Sequence, residues 1–138
     1  MDRNGHNSRT ILLVDDDEED RLLLLEALNE IGDGCQVIEA VDGADALARL
    51  KEFIDNKAEL PCLIILDINM PRMNGRETFK AIRQNEKTAS IPIVVFSSAK
   101  EEHDQAHFGT DNTTYIRKPI HFRDLVDVAR RLLKYCEH

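Results

Sequence analysis

The stretch Leu63-Ile64-Ile65-Leu66-Asp67-Ile68-Asn69-Met70-Pro71 sets four consecutive apolar residues directly before a carboxylate. So short and uniform a run fits a strand covered on both faces, as in a parallel sheet. An ionised carboxylate is costly to bury without a partner, so Asp67 has to lie where that strand surfaces. Pro71 lacks an N–H and disfavours helical geometry at Met70, so the chain leaves strand geometry there. The stretch predicts a buried strand that delivers one acid to a sheet edge and then enters a loop.

The same grammar recurs along the chain. Ile11 to Val14 is a second apolar run, ending in Asp15-Asp16-Asp17, and acids continue through Glu18, Glu19 and Asp20. Negative charge there suits the N-terminus of a helix. Leu24, Leu25, Leu28 and Ile31 keep helical spacing, with Gly32 as the stop. The run Leu22 to Leu25 reads as core. Gln36 to Val41 is a weaker strand, Asp42-Gly43 a turn signal, and Leu47, Leu50 and Ile54 mark a helix ending near Asp55-Asn56. Asn74-Gly75 is another turn signal, before a helix over about 76–85 carrying Phe79 and Ile82.

Ile91-Pro92 opens a strand through Ile93 to Phe96 that ends in Ser97-Ser98. Lys100 to Phe108 predicts a short helix with little apolar content, and Thr114 to Arg117 a last strand ending in Lys118-Pro119. A final helix from Phe122 to Cys136 carries Leu125, Val128, Ala129 and Leu132 on one face. Strands alternating with helices imply parallel pairing and right-handed crossovers, so helices cover both faces. The fold class is α/β, a flavodoxin-like doubly wound (βα)5 domain with sheet order 2-1-3-4-5.

A chain of 138 residues accommodates one domain. Residues 1–10 read as a flexible extension and 11–138 as the domain, leaving nothing for an output domain. With 18 basic against 26 acidic side chains, the net charge of −8 argues against a general nucleic-acid binder and is compatible with a divalent cation or a basic protein partner. No apolar run is long enough to cross a membrane, and the N-terminus has no apolar signal core. Cys35, Cys62 and Cys136 are widely spaced, and no zinc-type pairing is present. Cys62 reads as a buried thiol, in a reducing, cytoplasmic compartment. The histidines form no metal-binding spacing.

In this topology ligands sit beyond the carboxyl ends of the strands, at the switch point between the first and third. Asp15, Asp16, Asp67, Ser97 and Lys118 converge there. Three clustered carboxylates invite a hard cation, Mg²⁺ or Mn²⁺. Such a cation would keep Asp67 ionised as a nucleophile and neutralise an incoming phosphoryl group, while Ser97 and Lys118 would bind phosphoryl oxygens. Alone, each residue has a plainer reading. Asp17 and Glu18 are best read as helix capping and dipole matching, Ser97 alone would be a cap, and Tyr115 suits packing as well as a switch.

The combination Val14-Asp15-Asp16, Leu66-Asp67-Ile68-Asn69-Met70-Pro71, Asn74-Gly75, Ser97-Ser98-Ala99 and Tyr115-Ile116-Arg117-Lys118-Pro119 resembles the receiver domain of two-component response regulators. The loop from Asn69 to Glu77 is similar to the type paired with bacterial phytochromes. The resemblance implies that Asp67 is the phosphoacceptor, that Asp15, Asp16 and the Asn69 backbone carbonyl hold Mg²⁺, and that Ser97 and Tyr115 form the switch. It further implies that Lys118 contacts the phosphoryl group and that the bond before Pro119 is cis. The implied partners are a sensor histidine kinase and a downstream target or histidine phosphotransfer protein, with a homodimer also open. The implied output face comprises the Lys100–Phe108 helix, the last strand and the final helix. Asp111-Asn112 stands where the family commonly has Gly-Ala, and the segment from Ser97 to Lys118 is about one residue short. Two other classes stay in play: a small Mg²⁺-dependent phosphohydrolase with an aspartyl-phosphate intermediate, disfavoured by Asn69 and the lack of a cap segment, and an interaction module that has lost its switch.

Overall fold

The computed structural model describes residues 9–32, 34–67, 75–97 and 113–137. Five strands, β1 (Thr10–Val14), β2 (Gln36–Ala40), β3 (Leu63–Leu66), β4 (Ile93–Ser97) and β5 (Thr113–Arg117), pair in the order β2-β1-β3-β4-β5. All four pairings are parallel. The described helices are α1 (Glu18–Ile31), α2 (Gly43–Asp55), α3 (Gly75–Gln84) and α4 (Phe122–Leu133), the last running into a 3-10 turn over Lys134–Cys136. The expected helix over Lys100 to Phe108, with Gly109 and Asp111-Asn112, lies outside the described residues.

Strand alternation divides the core between two faces. Ile11, Leu13, Leu63, Ile65, Val94 and Phe96 point to one side, where α1 and α4 cover them. Leu12, Val14, Ile64, Leu66, Ile93 and Val95 point to the other, under α2 and α3. The three central strands are buried throughout, whereas β2 and β5 at the edges are only partly covered. That difference explains why the central strands are near-continuous apolar runs and the edges are not. Ile65 is 1% exposed at the centre of the sheet. Truncation by Ile65→Ala should cost about 2–5 kcal/mol. The check is a lower urea midpoint at unchanged denaturant slope.

Helix α1 is capped as expected: the Asp17 side chain accepts from the Glu19 and Asp20 N–H groups, and Gly32 closes the helix at φ 67°. The Asp42-Gly43 turn signal is instead a helix start, in which the Asp42 carboxylate caps α2 by accepting from Asp45 N–H. The reading of Leu22 to Leu25 as core is corrected. Leu24 is buried, but Leu22 and Leu23 are exposed. One helical face can meet the sheet, and Leu24, Ala27 and Leu28 occupy it.

The cysteine reading is also corrected. Cys62 and Cys136 form a disulfide, with Cα atoms 5.3 Å apart and a separation of 74 positions in sequence. Cys62 immediately precedes β3, and the 3-10 turn after α4 carries Cys136 back to the same end of the sheet. Cys35 is not part of the disulfide. Beside the disulfide, Arg9 Nη1 donates to the Cys136 carbonyl at 3.1 Å. No cis peptide bond occurs among the described residues, so the cis bond expected before Pro119 is not present.

Candidate functional site

The backbone ladder continues one residue past the strands, and this fixes the rim. Asp15 N–H donates to Ala40 C=O at 3.1 Å, Asp67 N–H to Val14 C=O at 3.0 Å, and Lys118 N–H to Ser97 C=O at 2.8 Å. The main chains of Asp15, Asp67, Ser97 and Lys118 are therefore positioned by the sheet itself. Lys118 reaches inward without a cis bond behind it.

Lys118 Nζ lies 2.8 Å from Asp15 Oδ2, 2.8 Å from Asp20 Oδ2 and 3.4 Å from Asp67 Oδ2. It also lies 5.9 Å from the centre of the Phe96 ring, a cation–π distance. Burial of Lys118 would pull its pKa down, but the bonds to Asp15 and Asp20 and the charges of Asp67 and Asp15 outweigh that and raise it above the usual lysine value. The side chain is therefore an ammonium throughout the neutral range. Three carboxylates share one cation, so Lys118→Met should destabilise the metal-free protein by roughly 3 kcal/mol, at the low end for breaking a buried ion pair because Asp20 is half-exposed. Thermal unfolding in chelator-treated buffer measures this.

The carboxylates of Asp15, Asp16 and Asp67 each place one oxygen within 4.8 Å of the others. Asp15 and Asp67 are buried and Asp16 is exposed, so the cluster opens to solvent on one side. Three anionic oxygens with no nitrogen or sulfur donor among them suit a hard divalent cation such as Mg²⁺ or Mn²⁺. Asp15 is held from two directions, because its Oδ1 accepts from Asp17 N–H at 2.9 Å while Oδ2 accepts from Lys118. Ser97 is fully buried at the end of β4. Tyr115 aligns with Val95 in the register and packs partly buried against the α2–α3 side of the core. Asn69 lies outside the described residues.

Two participants had no individual signal in the sequence reading. Asp20 belonged to an acidic run attributed to the helix dipole. Arg21 bridges the mouth of β1 and β2, with Nη1 donating to the Asp15 carbonyl at 2.7 Å and Nε to Glu39 Oε1 at 2.9 Å. Both project from the first turns of α1, one helical step beyond the residues whose identity could be argued from strand ends.

A buried strand-end carboxylate, a carboxylate cluster suited to a hard cation, a buried hydroxyl and an ammonium lie together on the carboxyl rim of a doubly wound sheet, where such folds bind their ligands. Residues 11–130 match the response regulator receiver domain, and the chain belongs to that family, whose general role is phosphorelay signalling. It is 39% identical over 127 residues to the transcriptional regulatory protein CpxR of Escherichia coli (strain K12), covering 90% of this chain and 49% of CpxR. The chain thus spans about half the length of the first curated relatives it matches. It is 32% identical over 132 residues to the response regulator Rcp1 of Synechocystis sp., covering 94% of this chain and 90% of Rcp1. Among solved structures, the phosphorylated cyanobacterial phytochrome response regulator RcpA aligns at TM-score 0.82 with 30% identity over 94% of each chain. The Mn²⁺-bound form of Rcp1 aligns at TM-score 0.80 with 30% identity, over 94% of this chain and 95% of that one.

Proposed function

We propose that this chain acts as a stand-alone receiver that accepts a phosphoryl group on Asp67 from the phosphohistidine of a sensor kinase. The observation that carries this reading is Lys118 Nζ bridging Asp15 and Asp67 beside Asp16. An Asp67 carboxylate oxygen attacks phosphorus, the P–N bond to the donor imidazole breaks, and the imidazole leaves with its electron pair. Lys118 meets the charge on the phosphoryl oxygens. The buried Ser97 hydroxyl, at the end of the neighbouring strand, donates to another of them. Asp15, Asp16, Asp67 and the Asn69 carbonyl would hold Mg²⁺ or Mn²⁺, which supplies charge neutralisation at the phosphoryl group. Chelation of that cation should stop labelling. The metal-bound and phosphorylated states of the related Rcp1 and RcpA support both parts of the reading.

Drawn to the phosphoryl group, Ser97 leaves space that Tyr115 follows, and the surface around β5 and α4 changes its affinity for a target or a histidine phosphotransfer protein. The protein catalyses its own phosphorylation and dephosphorylation and turns over no external substrate. No described helix is long and apolar enough to cross a membrane. We place the protein in the cytoplasm, where a sensor kinase presents its phosphohistidine. The likeness to Rcp1 over 90% of that protein supports the stand-alone assignment, and the likeness to the cyanobacterial phytochrome response regulator RcpA supports the phytochrome-linked one. Incubation with Mg²⁺ and a small phosphoryl donor tests the core claim: intact mass should show one added phosphoryl group, and its absence from a well-folded sample would overturn the assignment.

A further inference from the structure

Lys118 is committed before any phosphoryl group arrives. An ammonium has three N–H donors. Here three carboxylates, Asp15, Asp20 and Asp67, occupy them. A phosphoryl oxygen on Asp67 therefore gains the full strength of a charge-assisted bond from Lys118 only when one existing partner lets go. Asp15 is fixed by a second hydrogen bond from Asp17 N–H and is almost fully buried. Asp67 carries the phosphoryl group itself. Asp20 differs from both: its side chain is 37% exposed, it projects from the first turn of α1, and water can take over its solvation.

Asp20 is also outside the carboxylate cluster suited to a cation, which comprises Asp15, Asp16 and Asp67. Its bond to Lys118 spans 98 positions in sequence, so helix capping alone gives no account of it.

We propose that Asp20 is a positioning residue that acts through Lys118: it tethers the ammonium in the resting protein, competes with the phosphoryl group for it, and so sets how tightly the phosphorylated state is held. This rests on the receiver reading above and deepens it, because it assigns the strength of the phosphoryl–lysine contact to a residue outside the phosphoacceptor and metal-binding set. Releasing the tether leaves an N–H of Lys118 available to an incoming anion.

Beryllofluoride, prepared from beryllium chloride and fluoride with saturating Mg²⁺, is the probe, because it mimics the phosphoryl group without turnover. Its affinity is read by calorimetry, and the half-life of the phosphorylated protein is read separately. Asp20→Asn and Asp20→Ala should each bind beryllofluoride roughly three- to tenfold more tightly than the wild type and keep their phosphoryl group longer, in line with loss of one half-exposed ionic competitor. The advantage should shrink as salt rises, because the Asp20–Lys118 pair is screened. Asp20→Glu retains the charge with a longer arm and should return the wild-type affinity.

A double-mutant cycle separates the tether from a general charge effect. In a Lys118→Met background, Asp20→Asn should bring no gain. Equal affinities of wild type and Asp20→Asn would overturn the proposal, and so would a gain that persists without Lys118 or a loss of affinity on neutralising Asp20. Failure of the folded wild-type protein to bind beryllofluoride would overturn the receiver reading itself, which is a different outcome.

Discussion

Asp67→Asn should remove all phosphoryl labelling while leaving a folded protein. The substitution keeps the shape of the side chain but replaces the anionic oxygen proposed to attack phosphorus with an amide. Asp67 is 7% exposed, and its backbone N–H is already bonded to Val14 C=O, so the main chain at that point is held independently of the carboxylate. The charge removed is one of several acids around a single ammonium. Relief of that crowding offsets the weakened contact with Lys118, and stability should stay within about 1 kcal/mol of the wild type. A phosphate-affinity gel after incubation with Mg²⁺ and a small phosphoryl donor should show one shifted band for the wild type and none for Asp67→Asn. Undiminished labelling of the variant would locate the phosphoacceptor elsewhere. Asp15→Asn and Asp16→Asn provide the graded comparison. Both keep the proposed nucleophile, Asp67, and remove one anionic oxygen from the carboxylate cluster suited to a cation, so labelling should return as Mg²⁺ is raised.

Reduction of the Cys62–Cys136 disulfide should lower the stability of the protein by about 2–4 kcal/mol, because the bond closes a long loop and restricts the unfolded chain. The bond joins the entrance of β3 to the turn after α4, so it ties the last helix to the centre of the sheet. Protein handled without reductant should yield one alkylatable thiol, Cys35, and three after reduction in denaturant. Thermal unfolding with and without a thiol reductant gives the energetic half of the test, and Cys136→Ser should reproduce the reduced behaviour. A cytoplasmic glutathione pool opposes such a bond. Alkylation inside intact cells before lysis therefore measures which form is present during signalling. Three reactive thiols in that experiment would assign the bond to handling in air.

The fold and the site were legible in the sequence to different depths, for physical reasons. The central strands announce themselves because both faces are buried, so Ile11–Val14, Leu63–Leu66 and Ile93–Phe96 contain no polar interruption. A polar residue that ends such a run has to surface on the carboxyl rim, which is why Asp15, Asp67 and Ser97 could be placed together from spacing and topology alone. Asp20 and Arg21 escaped because a helix distributes its side chains by rotation, and an acid in its first turn already has a sufficient local reason to be there. The Leu22-Leu23 pair misled for the same reason: rotation sends neighbouring positions to different faces, and composition does not fix the phase. The disulfide escaped because only the closed fold brings two cysteines 74 positions apart to one place.

Arg9 donates to the Cys136 carbonyl, so the start of β1 and the end of the last helix touch at the pole of the sheet opposite Asp67. β1 separates that pole from the rim that carries Asp67 by five residues, roughly 17 Å. A short peptide joining residue 137 to residue 9 would therefore close the backbone into a ring without crossing either packed face, and new ends opened at Asn56-Lys57 would create a circular permutant with an untouched rim. Reporter proteins attached near residues 9 and 137 would likewise sit side by side, far from an approaching kinase, so their mutual distance would register movement of the last helix and not obstruction of the site.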